Sequence, residues 1–551
     1  MRWSDMSDGM VASRRDALGL GLASAAGLAL PAGAARAAPG ACPAAVAPHW
    51  NTGAEGQRIA DLGNGRFLNP ALAGDRPDPN VFKDGEDYYA TFSSFDYYPG
   101  VPIWHSRDLV NWTPLTAALK TNIGSVWALD IARHDGRYFI YIPALDHADA
   151  QRPLKIWVIT ADRMSGPWSE PVDMKIDTYI DPGHAIGEDG RRYLFLNGGH
   201  RVRISDDGLS AAGPVEHVYD GWPIPDDWII EGFALEGPKI LRKDGWFYYF
   251  SGQGGTAGPP TSHMVVVARS RSIDGPWENC PHNPIVHTAS REEPWWSRGH
   301  ATAIEGPGGR WWLAYHGYEN GFRTLGRQML LDPIEWTPDG WPKAMGGDLS
   351  RPLPKPGGGS ATTADVRSSG FSPEMFGTTL QSYMPRAGYL DRARLQGDAL
   401  VVAGQGTGPA DASPILFVAG DRSYEMDIEV EIDGSSEGGL LLLYNDKLFC
   451  GLGLSEGRLR AYRIGQEERW PPGAPMSARR LHLRLINREN VVTFFHSADG
   501  RSWTKERSFE VAGYNHNVAD GFLSLRPGFY AAGSGHVTFR SWRYRGIGDR
   551  G

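Results

Sequence analysis

Cysteine is scarce in this chain: Cys42, Cys280 and Cys450 are the three among 551 residues. None forms a CxxC pair, and no Cys/His spacing suits a structural metal, so disulfide-dense and zinc-stapled scaffolds are excluded. One disulfide could form, and the spacing leaves its pair open. Basic runs are absent beyond the first 40 residues and the formal net charge is −9, which argues against nucleic acid as a partner. Long, strongly apolar stretches are missing too. The segment from Ala17 to Ala35 is diluted by Gly19, Gly21, Gly27, Pro31 and Gly33, whereas a spanning helix needs about 20 apolar residues in a row. That segment follows a twin-arginine pattern, Ser13-Arg14-Arg15-Asp16-Ala17-Leu18, and runs into Ala35-Arg36-Ala37, which fits an A-x-A cleavage site. The expectation is a signal peptide over 1–37 and a protein secreted or periplasmic by the twin-arginine route, without a membrane partner after cleavage. Pro39-Gly40-Ala41 is a poor lipobox, which disfavours a lipid anchor at Cys42.

What is abundant points to β-structure. The chain has 20 Trp, 21 Tyr, 70 Gly and 40 Pro, a composition that suits strands joined by tight turns. Aromatic surplus also suits sugar binding, because the apolar face of a pyranose packs on a flat ring, although most of these rings are expected in the core. At this length two or three domains are expected.

A repeat organises the first part. Short turns containing Gly85, Gly136, Gly190, Gly245 and Gly309 each precede an aromatic strand, and these glycines lie 51, 54, 55 and 64 residues apart. Several of the turns read Asp-Gly, a strong hairpin signal. The period is that of a β-propeller blade, so five copies predict five blades. A second landmark, Ser106-Arg107-Asp108 with Trp112, Gly166-Pro167-Trp168 and Gly275-Pro276-Trp277, marks the outer half of three blades. The reading is an all-β protein: a mature N-terminal segment over 38–66, a five-bladed β-propeller over 67–353, a Pro/Gly linker over 354–369, and a concanavalin-like β-sandwich over 370–548. In the last, Tyr424–Ile432 alternates apolar and acidic residues with period two. Leu440–Tyr444, Leu481–Ile486 and Val491–Phe495 are further strands.

Six to nine residues before each turn glycine stands a polar residue: Asp78, Asp130, Asp181, Glu236 and His300. In a propeller the first strand of every blade lines the axis, so these groups are expected to converge in one funnel. One such residue would be a strand-end cap; five at matching offsets argue for a shared site. Cleaving a glycosidic bond needs a neutral acid for the leaving oxygen and an anion to activate water or attack. Asp78, between Pro77 and Pro79, suits a base held in place. Glu236, with its longer reach, suits the acid. Asp130 between them in blade order would raise the Glu236 pKa by like-charge repulsion. Glu231 competes as the acid, but five residues away on a strand it faces the other side.

The ordered set Pro77-Asp78-Pro79, Trp127-Ala128-Leu129-Asp130-Ile131, Glu236-Gly237-Pro238, Gly299-His300 and Gly326-Arg327-Gln328 with Pro333-Ile334-Glu335-Trp336 resembles glycoside hydrolase family 43 over nearly all of 67–345. The stretch Gly438–Asn445 resembles the sandwich of that family's β-xylosidase branch. The resemblance implies an inverting, exo-acting pentosidase of β-D-xylosidase or α-L-arabinofuranosidase type on plant cell-wall carbohydrate, with Asp78 as base, Glu236 as acid and Asp130 tuning the acid. Arg327 would bind substrate hydroxyls, Phe95 and Trp127 would wall the terminal-sugar subsite, and His300 would sit near the axis beside substrate or a structural calcium. No cofactor would be needed for the chemistry. The family often has Pro where Leu129 stands, and Asp181, in Asp181-Pro182-Gly183-His184, reads as structural. The alternatives are a galactan- or galactoside-acting hydrolase, a retaining fructosidase-like propeller, or a non-catalytic lectin.

Overall fold

The computed structural model describes residues 48–149, 151–357, 368–519 and 521–548; the twin-arginine segment and part of the linker lie outside them. Five antiparallel sheets follow in chain order, each starting at the axis. Their innermost strands are Asn80–Asp84, Asp130–His134, Gly183–Ile186, Glu236–Lys243 and Trp295–Glu305, and each touches the next around a closed ring of five blades. The predicted Asp-Gly hairpins are present. His134 faces Arg137 and Lys243 faces Trp246 across two-residue loops, and both loop residues take positive φ (Asp135 47°, Gly136 80°; Asp244 50°, Gly245 74°), the backbone that matches strand twist.

The second strand of each blade is apolar on both sides, for a geometric reason. Blades stack face to face, so alternate side chains enter different wedges. Along Arg137–Leu145, Tyr138, Ile140 and Ile142 pack against blade 1 residues such as Ile103. Phe139 and Tyr141 pack against Leu194 and Val202 of blade 3. The ring closes through a wedge of Val81, Tyr88, Trp312 and Ala314, with Phe67 edge-on to Trp312 at 6.0 Å. Asn69 adds two hydrogen bonds, donating to the Leu331 carbonyl at 3.0 Å and accepting from its amide at 2.8 Å.

The C-terminal part is a sandwich of two sheets, nine- and seven-stranded among the described residues. The alternation seen in sequence is explained by strand Ser423–Ile432: Tyr424, Met426, Ile428, Val430 and Ile432 enter the core. On the opposite face Glu425 meets Arg545 at 2.9 Å, Asp427 meets Arg484 at 2.6 Å and Glu431 meets Arg540 at 2.6 Å. Such surface pairs set register more than stability. The propeller and sandwich share backbone: Tyr97–Tyr98 of blade 1 pairs with Ser382–Tyr383 at a sheet edge. The N-terminal segment joins them again, with Arg58 and Arg422 both on buried Glu319, each at 2.7 Å.

Candidate active site

Counting back from the turn glycines treats all hairpin loops as equally long, which they are not. Counting from the residue that closes each hairpin gives a cleaner register. Asp78 lies six residues before Asp84, which faces Asp87. Asp181 lies six before Gly187, whose amide donates to Arg191, and His300 six before Gly306, whose amide donates to Arg310. Glu236 lies seven before Lys243, with one extra residue taken by a bulge between Glu236 and Lys239. In blade 2 the corresponding residue is Ala128, six before His134; Asp130 is only four before it. The axis therefore carries two rings. The outer one is Asp78, Ala128, Asp181, Glu236 and His300. The inner one, two residues further along the chain, or three in blade 4 where the bulge intervenes, is Asn80, Asp130, Gly183, Lys239 and Thr302.

The backbone separates the rings as well. Asp78, Asp181 and His300 have φ of 55°, 58° and 58°, a region that costs energy for a residue with a Cβ and is typical of functional sites. In blade 4 the positive φ falls on Gly237 (60°), and a Cβ there would lie 2.7 Å from the His300 ring. The Gly237 amide donates to Asp181 Oδ2 at 2.9 Å. Glycine is thus needed both for the bulge that turns Glu236 inward and for the close approach.

Asp78 is the most heavily held group of the outer ring. Arg327 Nη1 donates to its Oδ1 at 2.7 Å, Ser93 Oγ donates to Oδ2 at 2.5 Å, and its own amide donates to His316 Nδ1 at 3.1 Å. Burial alone would raise its pKa; Arg327, with His300 and His316, outweighs burial and holds it well below the usual carboxylate range. Glu236 is the opposite case. Among the described residues no hydrogen bond reaches its carboxyl, and the basic side chain within 4 Å of it is His263, whose Nε2 lies at 3.6 Å. His263 is fully buried and held neutral by that burial. Desolvation, then the charges of Asp181 and Asp78, push the Glu236 pKa well up. Burial and the Asp78 charge raise Asp181 too. The Gly237 amide and the Lys239 charge pull Asp181 back down, to about 7, so its surroundings favour the anion more than those of Glu236 do.

Asp130 does not do what its position in sequence suggested. Its Oδ1 accepts from Lys239 Nζ at 2.8 Å and Asn80 Nδ2 at 2.7 Å, and its Oδ2 from the His184 amide at 2.8 Å. Lys239 also donates to the Leu129 and Pro182 carbonyls. Asp130 is therefore a matched, buried tie between blades 1, 2, 3 and 4, and the carboxylate that acts on Glu236 is Asp181. Glu231, the competing acid, is a loop staple: its Oε2 accepts the Ala257 and Gly258 amides at 2.7 and 3.0 Å.

The expected walls assemble. Arg327 lies between two rings, 5.6 Å from Phe95 and 5.4 Å from Phe522. Phe95 and Val126 exchange backbone hydrogen bonds, which sets half-buried Trp127 beside it. Phe522 comes from the sandwich, and no signal in the sequence marked it. The same sandwich loop places His516 3.1 Å from Tyr318 Oη and 3.2 Å from Arg323 Nη1. Arg526 grips Asp75 at 3.0 Å, and Asp75 accepts the Arg327 amide. Around His300 a calcium does not fit the protein groups. Among the described residues no three His, Cys, Asp or Glu side chains are arranged to hold a metal. The nearby carboxylate, Asp78 at 3.6 Å, is engaged by Arg327, whereas calcium takes six to eight oxygens.

A funnel in which one carboxylate is kept charged and a facing carboxyl is kept protonated is the apparatus of a glycoside hydrolase. Residues 67–342 match the family described as glycosyl hydrolases family 43, and the chain belongs to it. A putative beta-xylosidase of Escherichia coli (strain K12) is 28% identical over 79% of this chain and 90% of its own length. A xylan 1,3-beta-xylosidase of a Vibrio species is 31% identical over 50% of this chain, and a non-reducing end alpha-L-arabinofuranosidase of Bacteroides ovatus 30% identical over 50%. The chain spans only 56% and 53% of these last two relatives. The crystal structure of the GH43 protein BlXynB from Bacillus licheniformis superposes with a TM-score of 0.77 at 23% identity, covering 88% of this chain and 100% of that one. At that identity the likeness is one of fold.

Proposed function

We propose that the protein is an exo-acting, inverting glycosidase that releases a terminal β-D-xylose or α-L-arabinofuranose from plant cell-wall oligosaccharides. The observation that carries this reading is the opposed surroundings of Asp78, held by Arg327 and Ser93, and Glu236, whose carboxyl has no hydrogen bond among the described residues. Asp78, kept anionic by Arg327, takes a proton from water as the water oxygen attacks the anomeric carbon. Glu236, kept protonated by burial and by Asp181, gives its proton to the leaving oxygen as the glycosidic bond breaks. Asp181 positions and tunes the acid. Arg327 keeps donors for sugar hydroxyls, and Phe95 and Trp127 offer apolar faces to the ring. The Phe522 and His516 loop narrows the funnel from the sandwich side, which supports attack on a chain end. The names of the relatives supply the pentose class.

Turnover of a panel of aryl pentosides and hexosides tests the glycone, with proton NMR of the first-formed anomer testing the stereochemistry. Cleavage of xylosides or arabinofuranosides to the inverted sugar is expected. Activity confined to hexosides, or retention, overturns the corresponding part. We also read the chain as exported by the twin-arginine route, for which the check is a mature N-terminus at Ala38 in the exported fraction.

A further inference from the structure

The segment between Ala211–His217 and Glu236–Lys243 arches over the top of blade 4 and ends at the acid. Its underside is anchored. Trp222 exchanges hydrogen bonds with the buried Gln253 side chain at 2.8 and 2.9 Å. Trp228 stacks on His287 at 4.5 Å and 15°, and Trp222 packs edge-on to Trp228 at 5.8 Å. The Glu231 amide donates to Ser262 Oγ at 2.7 Å, while its carboxylate accepts the two amides of the Gly254–Pro260 loop named above. The Gly254 amide donates to the Phe233 carbonyl at 3.0 Å. A loop so stapled is rigid, yet it presents two large apolar side chains upward: Ile229 is 73% exposed and Phe233 48%. Rigid exposed apolar groups beside a polar funnel mark a contact surface.

Their place in the chain says what they contact. Phe233 stands three residues before Glu236, and Gly221 meets its ring edge: a Cβ there would lie 2.7 Å from Phe233 Cζ. The proton of Glu236 goes to the oxygen of the departing group, so that group must lie on the acid's side of the funnel. The terminal sugar is held on the other side, among Asp78, Arg327 and Phe95. We propose that Phe233 is the platform on which the leaving-group sugar stacks, and that it sets the preference among leaving groups. This rests on the glycosidase reading above.

The test separates the leaving group from the glycone. Phe233→Ala is compared with wild type on xylobiose and on β-D-xylosyl fluoride, or on their arabinofuranosyl counterparts; fluoride is too small to stack. The ratio of kcat/KM for disaccharide over fluoride is expected to fall about tenfold, the scale of one lost ring contact, and Phe233→Trp to retain it. An unchanged ratio, whether both rates hold or both drop, overturns the platform. A second arm needs no turnover. In a Glu236→Gln background, calorimetry is expected to show Phe233→Ala weakening xylobiose but not xylose; equal affinities for xylobiose with and without the substitution overturn it. Wild type inactive on both pentosyl fluorides would instead count against the proposed glycone, which the binding arm does not require.

Discussion

The two rings on the propeller axis come from the same five innermost strands and the residues leading into them, two or three positions apart, and yet they are opposites. The inner ring is matched: Asp130, Asn80 and Lys239 satisfy one another and tie four blades together. The outer ring is left unmatched on purpose of function. Three of its five residues sit at positive φ, the Glu236 carboxyl has no hydrogen-bonded partner among the described residues, and Arg327 is paired with Asp78. A matched buried pair stabilises geometry and has no reactivity left; a strained, half-satisfied group keeps its proton or charge for a substrate.

The largest effect that would break this contrast is at Asp78. Asp78→Asn removes the anion proposed to accept the water proton and is expected to lower kcat by about 10³-fold, with substrate affinity measured by calorimetry largely kept. Lys239→Met tests the inner ring. It leaves the Asp130 charge buried without its cation, and a loss of about 3–5 kcal/mol in denaturant unfolding is expected. The double variant Lys239→Met with Asp130→Asn should recover part of that loss. If Lys239→Met instead altered the pH profile and not stability, the rings would have been assigned the wrong way round.

A finer discrimination comes from pH. In the proposed mechanism activity requires Asp78 charged and Glu236 protonated, so it is expected to rise as pH passes the depressed Asp78 value and to fall as pH passes the elevated Glu236 value. Asp181→Asn takes away one of the charges that keeps Glu236 protonated; the alkaline limb of kcat/KM is expected to move to lower pH. Asp130→Asn is expected to leave that limb in place.

The raised Glu236 pKa has a stability consequence of defined sign. The unfolded chain loses this proton near the ordinary carboxylate value while the folded chain keeps it. Folding is therefore penalised increasingly as pH rises above that value, up to the folded pKa, and constantly beyond it. Glu236→Gln mimics the protonated form, and its melting temperature is expected to exceed wild type at pH 8 by about 2 °C and to match it near pH 4. Smallest is Phe522→Ala. Losing one cation–π contact of about 0.5–1 kcal/mol on Arg327 is expected to cost a few-fold in kcat/KM; no change would mean that the sandwich loop leaves Arg327 alone.

Much of this was legible before any coordinates. The turn glycines and aromatic strands announced five blades, because a propeller repeats one local solution and the local solution is written in φ preferences and period-two patterning. Asp78, Glu236, Arg327, Phe95 and Trp127 were legible because short motifs flank them. Asp130 and Asp181 exchanged places, since an offset measured to a turn glycine cannot see that one hairpin loop has two residues and another three. His263, just before strand Met264–Ser270, and His316, in the middle of strand Trp311–Glu319, are both fully buried, and nothing local sets them apart.

Local chemistry in the amino-acid order was enough for the blades, the hairpins and the two-faced sandwich strands, since each depends on neighbours a few positions away. Which carboxylate is charged, which is protonated and which merely ties blades together depended on partners far off in the chain: Arg327 lies 249 residues from Asp78, and Lys239 lies 109 from Asp130. Ionisation is set by desolvation and by charges within a few ångströms, and only the closed ring, with the sandwich set against it, brings those charges within range.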